Sequence, residues 1–192
     1  LAVAEDFVHG DSSAVILGDN FFLDTTEIRM ALREFSAGGA RGAQVFLKEV
    51  QDPERFGVAE IKGNMVVSIE EKPKAPRSNL AVTGLYFYDE HVFDIIHEQV
   101  PSLRGELEIT DVNNAYIRRR EMGYHALKTT WIDAGTHESL LQANLAAAGI
   151  AHDPHKKVKI LFGINMLGIG GAEYLILNQI AYINKDRYVP QL

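Results

Sequence analysis

A short apolar run, Ala14-Val15-Ile16-Leu17, stops at Gly18-Asp19-Asn20 and is followed by an amphipathic stretch and a second apolar run from Ala43 to Val50. This succession constrains the fold more than any other feature of the chain. A brief apolar run bounded by turn residues reads as a buried strand. Asp24-Thr25-Thr26-Glu27 has the composition of a helix N-terminus, Ile28, Leu32 and Phe35 recur at i, i+4 and i+7 as one helical face, and Gly38-Gly39 ends it. Strand, helix and strand in that order predict a parallel sheet and an α/β fold class.

After Val50 the texture changes. Phe56 to Ile61 and Met65 to Ile69 are predicted strands around Lys62-Gly63-Asn64, which has hairpin chemistry. Pro73 and Pro76 mark a loop, and Leu80 to Tyr88 is a long strand rich in Val, Thr and Tyr. A helix carries Val92, Ile95 and Ile96, and another opens at Glu108-Ile109-Thr110-Asp111 and runs to about Arg120. Tyr124 to Lys128 is a strand, and Thr136 to about Ala148 is an alanine- and leucine-rich helix closed by Gly149. Residues 1–150 are expected to form one domain and Ala151 to Lys157 a linker. Beyond it a βα pattern restarts over 158–192: a strand from Lys159 to Phe162, a glycine loop, and a helix from Ala172 to Ile183, with no third element expected to cover it.

Composition removes whole classes of function. There is no cysteine, hence no disulfide framework, thiolate metal site or cysteine nucleophile. The seven histidines are scattered, with no i, i+4 pair plus carboxylate, so zinc is not expected. Nineteen Lys and Arg against 26 Asp and Glu leave a net charge of −7, which repels a polyphosphate backbone; no nucleic-acid partner is expected. The longest apolar region, Val158 to Ile183, is interrupted by Lys159, Asn165, Glu173 and Asn178, whereas a membrane span needs about 20 mostly apolar residues. With no basic-then-apolar leader after Leu1, a cytoplasmic location is expected.

Three clusters can carry chemistry. Asp19, in Gly18-Asp19-Asn20 at a strand's C-terminal end, is either part of an Asx turn or a ligand for Mg²⁺, which takes one or two carboxylates plus phosphate oxygens. Glu70-Glu71-Lys72-Pro73 is either a solvated charge run or a lysine that grips a phosphate as a point charge, with Glu71 accepting from sugar hydroxyls. In Trp131-Ile132-Asp133-Ala134-Gly135-Thr136, Asp133 is either a second carboxylate on the same metal or, with Thr136, a helix cap. Taken together, two aspartates far apart in sequence plus a lysine loop fit metal-assisted phosphoryl or nucleotidyl transfer, which proceeds mostly by positioning and electrostatics.

The order of Leu17-Gly18-Asp19-Asn20, Arg55-Phe56-Gly57-Val58-Ala59-Glu60, Glu70-Glu71-Lys72-Pro73, Ala81-Val82-Thr83-Gly84-Leu85-Tyr86, Arg104-Gly105-Glu106-Leu107-Glu108-Ile109-Thr110-Asp111 and Trp131-Ile132-Asp133-Ala134-Gly135-Thr136 resembles that of glucose-1-phosphate thymidylyltransferases. The resemblance spans residues 1 to about 148. It implies a partial Rossmann-like nucleotidyltransferase sheet with helices on both faces and an added β-rich sugar-binding part. It also implies transfer of dTMP from dTTP to glucose 1-phosphate, giving dTDP-glucose and pyrophosphate. Carried onto this chain, it implies Asp19 and Asp133 as Mg²⁺ ligands and Lys72 and Arg104 as the catalytic clamp on the sugar phosphate. Asn20, Gly57, Glu71, Val82 and Trp131 would contact sugar or sugar nucleotide, Trp131 having a core-filling role as its alternative. Phe56 stands where many members have tyrosine. The complete enzyme of such a family is expected to be a homo-oligomer.

The family opens with a glycine-rich G-G-x-G-T-R-L segment that binds the nucleoside triphosphate, and no such stretch occurs here. Roughly the first third of a complete enzyme is therefore expected to be missing, and this chain is expected to form no dTDP-glucose unaided. Uridylyl transfer to a related sugar phosphate, or a non-catalytic remnant, are the alternatives. Lys159-Ile160-Leu161-Phe162 followed by Leu167-Gly168-Ile169-Gly170-Gly171-Ala172-Glu173 resembles the start of GT-B-fold glycosyltransferases. It is not the dinucleotide fingerprint, because Glu173 stands where that motif has glycine.

Overall fold

The structure, a computed structural model, describes residues 1–39, 42–100 and 108–150, together with the backbone of 158–161 and 188–191. In chain order the elements are α1 (Glu5–Val8), β1 (Ser13–Ile16), β2 (Asn20–Phe22), α2 (Thr26–Glu34), β3 (Ala43–Glu49), β4 (Gly57–Lys62), β5 (Met65–Glu71), β6 (Leu80–Tyr88), α3 (Val92–His97), α4 (Ile109–Arg119), β7 (Met122–Ala126), β8 (Trp131–Asp133), α5 (His137–Ile150), β9 (Val158–Leu161) and β10 (Tyr188–Gln191). They divide into two compact units, one of Leu1–Ile16 and Asp24–Trp131, the other of Leu17–Leu23 and Ile132–Leu192.

The first unit is built on a sheet in the order β5-β4-β6-β3-β7, with β1 also paired to β6. β6 is antiparallel to β1, β3 and β4, and only β3 and β7 run parallel. The sheet is therefore mixed, which corrects the expectation of a parallel one. β1 and β3 do share a direction, as strand–helix–strand order requires, but β6 lies between them. Nothing local in the two short apolar runs says which strand each will pair with. β6 is buried from Ala81 to Tyr88, and its side chains are covered on both faces. Phe87 meets Phe35 at the end of α2, whereas Tyr88 stacks on Tyr116 of α4. Adjacent strand residues point to opposite faces, so helices flank β6 on both sides.

The apolar face of α2 differs from the predicted one. Ala31 and Phe35 are buried and Ile28 half-buried, while Leu32 is 40% exposed. The helix uses i, i+3, i+7, with the small Ala31 allowing close approach. Just before the helix, whose N-cap position is Thr25, Asp24 Oδ1 accepts from the Thr26 hydroxyl at 2.7 Å and the Thr26 N–H at 2.9 Å, which hold the Asp24 carboxyl below its ordinary pKa.

Two turns show why particular glycines are needed. Gly63, with φ +61°, opens the two-residue turn that pairs Lys62 with Met65. Gly42, with φ +92°, passes so close to the preceding turn of β7 that a Cβ would lie 2.1 Å from the Glu121 carbonyl oxygen. Asp89 ties this corner together. Its carboxylate accepts from the Gly42 N–H (2.9 Å), the Tyr116 hydroxyl (2.8 Å) and the His91 N–H (3.1 Å). Burial and the bond to Asp89 push the Tyr116 hydroxyl well above the usual tyrosine pKa.

At the sheet margin, the Asn114 carboxamide on α4 donates to the Ile69 carbonyl (2.8 Å) and accepts from the Ile69 N–H (3.0 Å) of β5. Asn114→Leu leaves both backbone groups without a protein partner. We expect it to destabilise the chain by about 2 kcal/mol, read from the midpoint of urea unfolding.

In the second unit β2 pairs with β8, and Phe22 and Ala143 are buried. β9 overlaps the strand predicted at Lys159 to Phe162, and β10, which was not expected, pairs with it in parallel from Tyr188 to Gln191. The predicted linker at 151–157 and the predicted glycine loop and helix within 162–187 lie outside the described residues. Among those described, no helix is long and apolar enough to cross a membrane.

Candidate functional site

In the second unit, the turn Leu17–Asn20 closes with the Asn20 N–H on the Leu17 carbonyl at 3.1 Å. Asp19 projects from it. The Asp19 backbone carbonyl accepts from the Ala134 N–H at 2.7 Å, which brings this turn against the end of β8. Asp133 Oδ1 accepts from the Gly135 N–H at 3.1 Å. A Cβ on Gly135 would sit 3.1 Å from Asp133 Oδ1 and 3.7 Å from Asp19 Oδ2. Two carboxylates that are 114 positions apart in sequence thus face one small space beside a residue that has no side chain. Paired hard oxygen donors, completed by water or phosphate oxygens, are a donor set that Mg²⁺ uses. Among the described residues there is no group of three or more His, Cys, Asp or Glu arranged to hold a metal.

The capping alternative for this stretch separates cleanly. Thr136 and Ser139 cap α5 reciprocally: the Ser139 N–H donates to Thr136 Oγ1 and the Thr136 N–H to Ser139 Oγ, each at 3.1 Å. Thr136 caps the helix without Asp133. Asn20, expected at a sugar contact, donates its side-chain amide to Asp19 Oδ1 at 2.8 Å and so steadies that carboxylate.

The first unit gathers a second group. Gly57 on β4 pairs with Glu71 on β5, and Val82 of β6 is beside them. A Cβ on Gly57 would lie 3.3 Å from Glu71 Oε2 and 3.8 Å from the Val82 Cβ. Glu71 Oε2 accepts from the Thr110 hydroxyl at 2.9 Å. Thr110 and Asn114 are one turn apart on α4, so a single helical face fixes both the backbone of β5 and the carboxylate at its end. Neither was singled out from sequence. Their signal is a polar pair at i, i+4 on a helix whose surrounding positions are buried.

Lys72 follows Glu71 with φ +45°, a conformation few residues other than glycine adopt. Its N–H donates to the Phe56 carbonyl at 3.0 Å, and the buried Pro73 after it disfavours continuation as a helix. Strained backbone of this kind concentrates at functional sites. Phe56 carries the Arg55 guanidinium over its ring at 5.3 Å and packs at 5.2 Å on Trp131. The structure therefore brings Gly57, Glu71, Lys72, Val82 and Trp131 into one unit and Asp19, Asn20 and Asp133 into the other. Arg104 lies outside the described residues.

Comparison with known proteins gives this geometry a setting. Residues 1–149 match the nucleotidyl transferase family. The chain is 43% identical over 144 residues to a glucose-1-phosphate thymidylyltransferase of Neisseria meningitidis, a match that covers 73% of this chain and 49% of the relative. It is 46% identical over 148 residues to one of Xanthomonas campestris, covering 73% and 48%. Among solved structures, a Bacillus anthracis protein assigned as a glucose-1-phosphate thymidylyltransferase and bound to sucrose superposes with TM-score 0.70 at 52% identity, covering 76% of this chain and 58% of that one. A UDP-glucose pyrophosphorylase at 22% identity and TM-score 0.68, covering 78% of this chain and 58% of that one, shares the fold. The chain spans about half the length of the thymidylyltransferases from Neisseria and Xanthomonas. With the motifs, the mixed sheet and the family match in agreement over its first 149 residues, the chain belongs to the nucleotidyl transferase family.

Proposed function

We propose that this chain carries the sugar-phosphate part of a Mg²⁺-dependent glucose-1-phosphate thymidylyltransferase, an enzyme that joins dTMP from dTTP to glucose 1-phosphate and releases pyrophosphate. The observation that carries this reading is the 43% and 46% identity to relatives of that name. In the reaction an oxygen of the sugar phosphate forms a bond to the α-phosphorus of dTTP. The bond from that phosphorus to the bridging oxygen breaks, and its electron pair leaves with pyrophosphate. No protein nucleophile is needed. The chain must align two anions and offset their repulsion.

Asp19 and Asp133 would hold the Mg²⁺ ion, which when bound acts as a Lewis acid on phosphate oxygens. Lys72 and Arg104 would meet the sugar phosphate as cations. Glu71, held by Thr110, would accept from a sugar hydroxyl in the space left by Gly57, with Val82 as its apolar wall. Trp131 would close the sugar's side through its contact with Phe56, and Asn20 would serve both Asp19 and the sugar nucleotide.

Titration calorimetry of the chain with glucose 1-phosphate tests this reading, with glucose as the control. We expect the phosphorylated sugar to bind and Lys72→Met to weaken it by about tenfold, the loss of one charge-assisted contact. A parental chain that binds glucose and glucose 1-phosphate alike would overturn it.

A further inference from the structure

Lys48, on β3, belongs to none of the motifs above. Its ammonium donates to three successive backbone carbonyls, those of Leu127 at 3.3 Å, Lys128 at 3.1 Å and Thr129 at 2.8 Å. A lysine has three ammonium hydrogens and no acceptor, so every donor is committed to one bend of chain. Ordering so long a side chain costs rotamer entropy, which these three bonds must offset. An ordinary lysine at this strand position would remain extended into water.

The bend is held from its other sides as well. The Leu127 N–H donates to the Leu47 carbonyl at 2.8 Å, the Lys128 N–H to Glu27 Oε2 at 3.0 Å, and the Asp24 N–H to the Thr129 hydroxyl at 3.0 Å. The Lys128 N–H, and after it His125, hold the Glu27 carboxyl below its ordinary pKa against the opposing effect of burial. Glu27 and Asp24 hold the bend through its amides and the Thr129 hydroxyl, whereas Lys48 gathers its carbonyls. Two residues after Thr129 comes Trp131, whose ring packs on Phe56, and the Phe56 carbonyl receives the Lys72 N–H.

We propose that Lys48 is a positioning residue. By fixing the 127–129 backbone it sets Trp131 against Phe56, and through Phe56 it sets the Lys72 end of β5. That this placement serves a sugar phosphate rests on the proposed function; the placement itself does not.

Trp131 is the only tryptophan in the chain, so its fluorescence reports on this position alone. In Lys48→Met the emission shifts to the red, and acrylamide quenching roughly doubles as the bend opens locally, while far-UV circular dichroism is unchanged. Lys48→Arg, which keeps a cation with several donors, restores most of the parental emission. Lys62→Met, which removes only the exposed ion pair to Glu60 at 3.1 Å, leaves it unaltered. A folded Lys48→Met chain with parental emission and quenching would overturn the proposal, as would an Arg variant that shifts as far as Met. Should the Met variant not fold, the milder Lys48→Gln takes its place and is read in the same way. These measurements need no substrate. A silent Trp131 removes Lys48 and leaves the proposed function standing, whereas failure of glucose 1-phosphate to bind does the reverse.

Discussion

Asp133→Asn is expected to abolish the Mg²⁺ binding proposed for this chain. Asparagine keeps the size and shape of the side chain and can still accept from the Gly135 N–H, so the local turn survives. What is lost is the negative charge on one of two carboxylates that face the space beside Gly135. A hard divalent cation is held by charge and oxygen number together, and Asp19 by itself supplies too little of either. Calorimetric titration with Mg²⁺, or Mn²⁺ binding followed by paramagnetic resonance, reads the loss directly. In a full-length nucleotidyltransferase carrying these residues, turnover falls by about a thousandfold, because several kcal/mol of charge stabilisation disappear from the transferring phosphate. Unchanged metal affinity would take Asp133 out of the ligand set.

Gly42→Ala is expected to unfold the chain. The substituted methyl would lie 2.1 Å from the Glu121 carbonyl oxygen and 2.9 Å from its carbon, both backbone atoms that cannot swing aside. The backbone at φ +92° also disfavours any side chain. Retreat of either strand breaks bonds on all sides: the Ala43 N–H to Glu121 carbonyl at 2.8 Å, the Asp89 N–H to Gly42 carbonyl at 2.8 Å, and the Gly42 N–H to the Asp89 carboxylate. We place the cost at more than about 4 kcal/mol, at the extreme of single substitutions. Gly63→Ala is the matched comparison. It too has a positive φ, but nothing lies within 4 Å of the added methyl, so only the backbone strain of about 1 kcal/mol remains. Denaturant unfolding of the two variants separates them. Equal stabilities would mean that the approach of Gly42 to β7 is not this close.

The contrast between those glycines also shows what a sequence can reveal. Lys62-Gly63-Asn64 announces its hairpin because the turn is made by adjacent residues, and β6 runs from Leu80 to Tyr88 as its composition predicts. Gly42 gives no comparable signal, since the atom that requires it belongs to Glu121, far along the chain. The same limit explains the sheet. Apolar runs identify strands but not partners, and the insertion of β6 between β1 and β3 depends on which long strand is available to pair. Leu32 reads as part of the buried face because it recurs at i+4 from Ile28, whereas packing buries the smaller Ala31. Asp19 and Asp133 stand out in the sequence as candidate carboxylates at strand ends, and the structure sets both near Gly135. Lys48, Thr110 and Asn114 do not, because each acts on backbone brought near only by folding.

The pairing of the Asn114 carboxamide with Ile69 has a consequence outside any catalytic role. β5 is the outermost strand of its sheet, and an exposed outermost strand invites hydrogen bonding by passing chains, the first step towards fibrous aggregates. One side-chain amide, presenting a donor and an acceptor in the spacing of a peptide group, occupies that rim where an intruding polypeptide would dock. The helix that steadies the Glu71 carboxylate is thus also a guard against self-association.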